Sequence, residues 1–493
     1  MRWLHVILTL AVTAATWVNA ATVEMRHTHG VFYPGVNNQP VLQLKVMGEP
    51  GEKITGIKFN TGKSGSISEI KIARVLTSRD WNGFTYNTNK LAEELAKKKP
   101  GKGNFSFKLD MELTGSPLYL WLSYDISGAI KRNTRIDGEC TEVIMADGSV
   151  VTPKLILAEG LAERVIGRVY PFPYRVVPYY RPRWVKGWGN AEKAVHLTPA
   201  HFKQFTDLVH FAYSVNEHGG ITYQWAGGGD DKTIADEALA EIKRIHAEAN
   251  SRANLIAGFG HMDGPMTTAV ANPDTRRTLA RNMAQWAISR GYQGIDIDWE
   301  YPDSWEQWQH LGNFIADLRE ELAGSAISIS IAASVTYKVP NYWTTDQLDF
   351  LMTMSYDDLA EQHSSMQRFQ GDAQKCLNDF HMVKPRIVVG LPFYSNQQGT
   401  LTNQYGYAQI YNWYPRLKPT DNTFRAKNED GSDGPMHSFN GAALITEKCK
   451  WLKQEKFGGV MIWAYDTDLP LKHKASLAKA MYKIIRQPKS KKE

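Results

Sequence analysis

The alternation of apolar and polar positions changes rhythm once along the 493-residue chain. From residue 21 to about 155 it runs in short period-two stretches separated by turn residues, clearest at 41–46, 54–59, 67–72, 105–109 and 118–124. That period marks strands with one covered face, and repeated strands with turns between them predict a β-sandwich-like domain of immunoglobulin size. The one helical expectation in this half is 90–99, where Ala and Leu are set among lysines. Beyond a linker expected at 156–174, which contains Pro171 and Pro173, strands and helices alternate. Strands are predicted at 175–181, 208–215, 254–260, 294–299, 326–334, 350–356, 386–391 and 459–464, with helices at 233–250, 273–290, 304–322, 367–380, 446–455 and 472–485. Eight strands in alternation with helices over residues 175–486 predict an α/β fold, a (β/α)8 barrel behind an all-β domain.

The fourth of these strands carries the chemistry. Ile295, Ile297 and Trp299 alternate with Asp296, Asp298 and Glu300, so three carboxyls share one face of the strand, spaced ~6.6 Å at the usual rise. A solvated acidic edge or a metal-binding strand would give the same spelling. A parallel barrel strand, however, is covered on both faces, and carboxyls buried together must hold protons at neutral pH and titrate as a group. That is an acid–base arrangement.

Composition narrows the setting. An apolar content of 43% suffices for two cores. Arg2, the apolar run 4–17 and the small residues of 18–20 read as a secretory signal over 1–20, so a secreted or periplasmic protein is expected, with no membrane span and a monomeric state. Cys140, Cys376 and Cys449 show no metal-ligand spacing and no disulfide framework, and neither a metal nor a cofactor is expected. The net charge of +6 and the basic tail at 487–493 come without a nucleic-acid motif. Fifteen Trp and twenty-two Tyr exceed what cores demand and suit stacking on the apolar faces of sugar rings.

The stretch Gln293-Gly-Ile-Asp296-Ile-Asp298-Trp-Glu300-Tyr-Pro resembles the signature of glycoside hydrolase family 18, the chitinases, with Gln293 where the family usually has its first Asp. The likeness extends to Met354-Ser-Tyr356-Asp357, to Gly458-Gly-Val-Met-Ile-Trp463, to Gly390-Leu-Pro-Phe-Tyr394 and, more loosely, to 257–260 and Tyr179-Tyr180. The resemblance implies substrate-assisted retaining hydrolysis, the exception among glycosidases in which the substrate supplies the nucleophile. It implies that Glu300 is the general acid and later base, that Asp298 orients the 2-acetamido group, that Asp296 shares a proton with Asp298, and that Tyr356 donates to the acetamide carbonyl. Met354, Asp357, Trp463, Tyr179, Tyr180 and Tyr394 are then expected to bind substrate.

Three functions stay open at this point. The leading one is a hydrolase of β-1,4-linked N-acetylglucosamine, as in chitin; the others are an endo-β-N-acetylglucosaminidase cutting the chitobiose core of N-glycans and a carbohydrate-binding protein without catalysis. Retention of Glu300 argues against the last. The long connection 394–442 looks shorter than the α+β insertion of some relatives and leads us to expect a shallow cleft, which favours the N-glycan reading; so does a weak likeness of the N-terminal half to the β-rich domains that precede some sialidases. At position 293 a neutral amide beside the carboxylate column should ease ionisation of Asp296, unless Gln293 lies at the barrel floor, outside the coupled group.

Overall fold

The computed structural model describes residues 21–485 except 28–29, 79–91, 183–194, 224–231, 261, 336–341, 381, 402–403 and 429, so the signal segment expected over 1–20 and the basic tail lie outside the described residues. The N-terminal half is the expected sandwich. A six-stranded sheet runs in the order 154–155, 22–27, 39–47, 118–126, 70–78, 92–98, and faces a four-stranded sheet in the order 150–151, 139–145, 53–60, 104–112. Leu42, Leu44, Val46, Ile54, Ile57, Phe59, Leu120 and Leu122 are fully buried between them. Alternate inward residues from both sheets thus interdigitate, as the sequence period requires.

The predicted helix at 90–99 is a strand instead: Ala92–Lys98 pairs antiparallel with Ile70–Ser78 at the sheet edge. Its Ala, Glu and Lys favour a helix locally, but pairing with a distant segment overrides a preference of a few tenths of a kcal/mol per residue. The charged side chains protect the edge from further pairing, and Glu94 engages the Arg74 guanidinium at 2.9 Å.

The C-terminal half closes into a barrel of eight parallel strands: Arg175–Tyr180, Asp207–Val215, Asn254–Phe259, Gly294–Ile297, Ser328–Ala333, Phe350–Thr353, Ile387–Pro392 and Gly459–Trp463, the first pairing with both the second and the last. The helix Pro273–Arg290 shows how sequence sets these units. Asn272 caps it by accepting from the Asp274 N–H, Pro273 starts it, and Gly291 ends it in the left-handed region (φ 66°), turning the chain into the fourth strand. The last helix is shorter than predicted, Leu477–Tyr482. Among the described residues no helix is long and apolar enough to cross a membrane. The three cysteines are buried and unpaired.

Two expectations about connections change. Residues 156–174 are docked, not a free tether: Gly167–Val169 pairs with Val31–Phe32 and with Arg135–Ile136, and the Ala158 and Val165 N–H groups donate to the carbonyls of Ala323 and Gly324. The connection after the seventh strand folds as an α+β insertion, with strands Tyr394–Gln397, Tyr405–Gly406, Thr423–Lys427 and Asp433–Ser438 in one sheet and the helix Tyr407–Trp413. Its aromatic residues form its core: Tyr405 packs on Trp413 and His437, and Phe424 packs on Phe439.

The N-terminal domain sits at the amino ends of the barrel strands, opposite the carboxyl ends where barrels of this type carry their sites. Arg26 pairs with Glu320, the Gly324 N–H donates to the His27 carbonyl, and Tyr33 Oη donates to the Asp349 carbonyl at 2.9 Å. The barrel floor beneath is a buried polar plug. Arg175 donates to both oxygens of Asp207 at 2.9 Å and to Tyr33 Oη at 2.7 Å, with its guanidinium between the rings of Tyr170 (3.8 Å) and Phe350 (4.0 Å). Tyr170 Oη, Thr206 Oγ1 and Asn254 Nδ2 complete the shell of Asp207.

Candidate active site

The alternation along the fourth strand acts as expected. Ile295, Ile297 and Trp299 join the layer between strands and helices, while the even-numbered acids turn into the lumen. Asp296 is fully buried; Ser330 Oγ donates to its Oδ1 at 2.6 Å and Tyr179 Oη to its Oδ2 at 2.5 Å. Burial pushes its carboxyl up to about 6, although both hydrogen bonds oppose the shift. Asp298, 4% exposed, is held well above the ordinary carboxyl range, chiefly by burial and then by the charges of Glu300, Asp296 and Asp263. Its Oδ1 is buried without a hydrogen-bond partner. Glu300, outermost and exposed, is also raised: loss of water around the carboxyl dominates, Asp263 and Asp357 add to it, and a hydrogen bond with Tyr301 opposes it. Three acids therefore line up from a dry interior to an open mouth, each with its carboxyl shifted up from the ordinary range.

Close approaches in the lumen depend on glycines. A Cβ on Gly260 would stand 2.5 Å from the Phe211 ring, and one on Gly390 would stand 2.3 Å from the Thr353 carbonyl and 2.9 Å from the Tyr356 ring. Tyr356, buried in the lumen, places its hydroxyl 3.8 Å from Met461 Sδ, and Met354 lies in the same cluster. Trp463 is half-buried and makes edge contacts with Tyr179 (5.5 Å) and Phe211 (5.1 Å). Asp357, at the rim in the left-handed region (φ 62°), accepts from Tyr394 Oη and Asn396 Nδ2, both at 2.5 Å on Oδ1. Nine of the ten residues proposed from sequence thus gather at one mouth.

The tenth does not. Tyr180 packs in the outer layer with Phe202, Phe205 and Tyr213, not with the lumen cluster that holds Tyr179. Neighbours on a strand face opposite sides, so only one of the two tyrosines enters the barrel. Gln293 is likewise not beside the carboxylates. It sits exposed at the amino end of the fourth strand, accepting from the Leu255 N–H at 2.9 Å and donating to the Gly291 carbonyl at 2.6 Å.

Several participants went unread. Asp263 heads the helix Asp263–Ala271 and accepts from the Glu300 N–H at 3.2 Å. Ser330 left a visible trace, since Ser328 and Ser330 interrupt a run of Ile in a buried strand and Ser330 pairs in register with Asp296. Asn396 and His363 left none.

Comparison with known proteins agrees with this geometry. Residues 175–468 match the profile of Glycosyl hydrolases family 18. Chitinase 1 of Aphanocladium album is 27% identical over 278 residues, covering 47% of this chain and 66% of that protein; Probable chitinase 2 of Drosophila melanogaster is 22% identical over 294 residues, covering 47% and 59%. The chain thus spans about two thirds or less of the length of these curated relatives. Among solved structures, a chitinase from Bacteroides thetaiotaomicron superposes with a TM-score of 0.53 at 19% identity, covering 64% of this chain and 96% of that one. Catalytic domain 2 of the Ostrinia furnacalis Group II chitinase gives 0.51 at 17%, covering 64% and 98%. With its family profile matched over more than half its length and its acids on the fourth strand of a closed barrel, the chain belongs to glycosyl hydrolase family 18.

Proposed function

We propose that this protein is an exported hydrolase of β-1,4-linked N-acetylglucosamine chains that works by substrate-assisted retention. The observation that carries the reading is the column Asp296–Asp298–Glu300, with Asp298 buried, shifted toward its protonated form and left with one oxygen unpartnered. Such an oxygen costs stability unless something fills it, and the N–H of a 2-acetamido group is a matching donor. Asp298 accepting that N–H turns the acetamide carbonyl toward the anomeric carbon. Glu300, whose surroundings shift it toward its protonated form, gives its proton to the glycosidic oxygen as the bond to the anomeric carbon breaks and the carbonyl oxygen bonds there. The resulting oxazolinium is a cation, and Asp298, passing its proton to Asp296, stabilises it. Glu300, now a carboxylate, takes a proton from the water that opens the ring.

The folded insertion favours a chitin-type substrate over an N-glycan core, because it is the α+β unit whose absence would favour the N-glycan reading, and its first strand reaches Asp357 at the rim. Among the described residues of the barrel, the exposed large apolar side chains are Trp305, at the start of the helix that follows the fourth strand, and Leu359 and Leu401, on the connections after the sixth and seventh strands, which suits a polymer crossing this end. A related structure, the Ostrinia furnacalis domain carrying an E2180L substitution, was solved with a chitooligosaccharide. The test is hydrolysis of N-acetylglucosamine oligomers beside a denatured glycoprotein, with wild type and Glu300→Gln. Cleavage of the oligomers, reduced ~10²- to 10⁴-fold by the substitution, is expected. Cleavage of the glycoprotein alone, or undiminished turnover by Glu300→Gln, refutes the proposal.

A further inference from the structure

Asp357 is held by Tyr394, which a motif marks, and by Asn396 and His363, which none does. Its backbone is in the left-handed region, where a side chain is tolerated only if its surroundings fix it. Oδ1 receives both donors, Tyr394 Oη and Asn396 Nδ2, and His363 Nδ1 stands 3.6 Å from the same oxygen. No described residue hydrogen-bonds to Oδ2. Asn396 is fully buried on the first strand of the insertion, and its amide also reaches His363 Nδ1 at 3.4 Å. His363, 1% exposed, packs edge-on against Tyr394 at 5.3 Å.

The segment that carries Asp357 and His363 is clamped to the insertion from below. The His363 N–H donates to Ser438 Oγ at 3.0 Å, Gln362 Nε2 to the Phe439 carbonyl at 3.0 Å, and Gln398 Nε2 to the Glu361 carbonyl at 2.9 Å. The buried Lys448 ammonium spends its three donors on the Ser364 carbonyl, Ser364 Oγ and Asn440 Oδ1, tying the end of this segment to the insertion. So many backbone anchors fix where Asp357 stands, but only Tyr394 and Asn396 fix which way its carboxylate points.

We propose that Asn396 is a positioning residue: it saturates Oδ1 of Asp357 so that Oδ2 faces the sugar hydroxyls in the cleft, which makes the insertion part of the site. The inference rests on the glycosidase reading. An amide nitrogen donates only, so Oδ1 of Asp357 meets it as an acceptor. His363 and the Tyr394 ring behind Asn396 prevent the amide from swinging away.

The test is a double-mutant cycle on the full chain, using a fluorogenic N-acetylglucosamine oligomer. Asn396→Ala is expected to lower kcat/KM about tenfold in the wild-type background and less than twofold in an Asp357→Ala background. Asn396→Asp keeps the shape but sets a second carboxylate against Oδ1, and should behave in the same way if the alanine variant does not fold. Equal factors in both backgrounds mean that Asn396 acts through stability alone and overturn the proposal, as does an undiminished rate in either single variant. If wild type turns over no such oligomer, the glycosidase reading fails. The same cycle is then read by calorimetric affinity for the unmodified oligomer, where additivity again overturns the positioning role.

Discussion

Replacing Ser330 by Ala removes one hydroxyl and tests the proton-sharing of the acid column. Ser330 Oγ lies 2.6 Å from Asp296 Oδ1, and neither residue is more than 1% exposed, so neither bulk water nor salt screens the contact. A hydrogen bond to a charged, buried acceptor is worth ~1.5–3 kcal/mol, and one pKa unit is about 1.36 kcal/mol. The carboxyl of Asp296, now near 6, should therefore rise by roughly one to two units. Catalysis as proposed needs one proton shared by Asp296 and Asp298, and a second proton on the pair removes the charge that stabilises the oxazolinium. The acidic limb of the kcat/KM profile should accordingly move up by the same one to two units, with activity at pH 6 falling far more than activity at pH 8. Initial rates on a fluorogenic N-acetylglucosamine oligomer between pH 4 and 9 measure this, with thermal melting as a control for folding. Superimposable limbs from two well-folded proteins would falsify the assignment of Asp296 as the shared acid.

Two further outcomes follow from positions away from the reacting groups. Gln293→Asp should leave the pH profile unchanged and lower the unfolding free energy by ~1 kcal/mol, because Gln293 bonds Leu255 and Gly291 at the floor and never meets Asp296; a displaced acidic limb in rate measurements would contradict this. Tyr33→Phe should cost ~1–3 kcal/mol in urea unfolding, since it strips the buried Arg175 guanidinium of an acceptor, while kcat stays as it was. A parallel loss of kcat would mean that the floor communicates with the mouth.

The barrel was legible because its signals are local and repeated: a strand, a cap, a helix, a glycine stop. The carboxylate column was legible for the same reason, a period of two. That same period, applied strictly, excludes Tyr180 from the lumen and places Gln293 on the other face from Asp296, so those misplacements were avoidable. The strand Ala92–Lys98 was not recoverable in this way, for its conformation comes from pairing with residues some twenty positions earlier. Asp263 meets Glu300 across 37 positions and Asn396 meets Asp357 across 39, contacts set by how loops return over the mouth. The insertion was misread because its aromatic core and its polar surface alternate irregularly, and only the folded sheet reveals which is which.

The two ends of the barrel stand in opposite energetic relation to the fold. At the mouth, Asp296 has a folded value near 6 against an ordinary 3.8, so its contribution favours the folded state fully only below ~pH 4 and is lost as pH rises through 6. At neutral pH this amounts to about 3 kcal/mol against the fold, as large as a whole buried core substitution. Asp298 adds to it in the same direction. At the floor, Arg175 and Asp207 are equally dry but bonded to each other and to a polar shell that leaves only Arg175 Nε unpartnered, and two of their partners, Tyr33 and Tyr170, come from outside the barrel. A buried pair with its hydrogen bonds complete is close to neutral, whereas one stripped of partners costs several kcal/mol. A barrel cut free at residue 174 would keep the costly mouth and lose Tyr33 and Tyr170 from the floor. The N-terminal domain therefore supports the stability of the fold that holds the acid column, from the far side of the barrel.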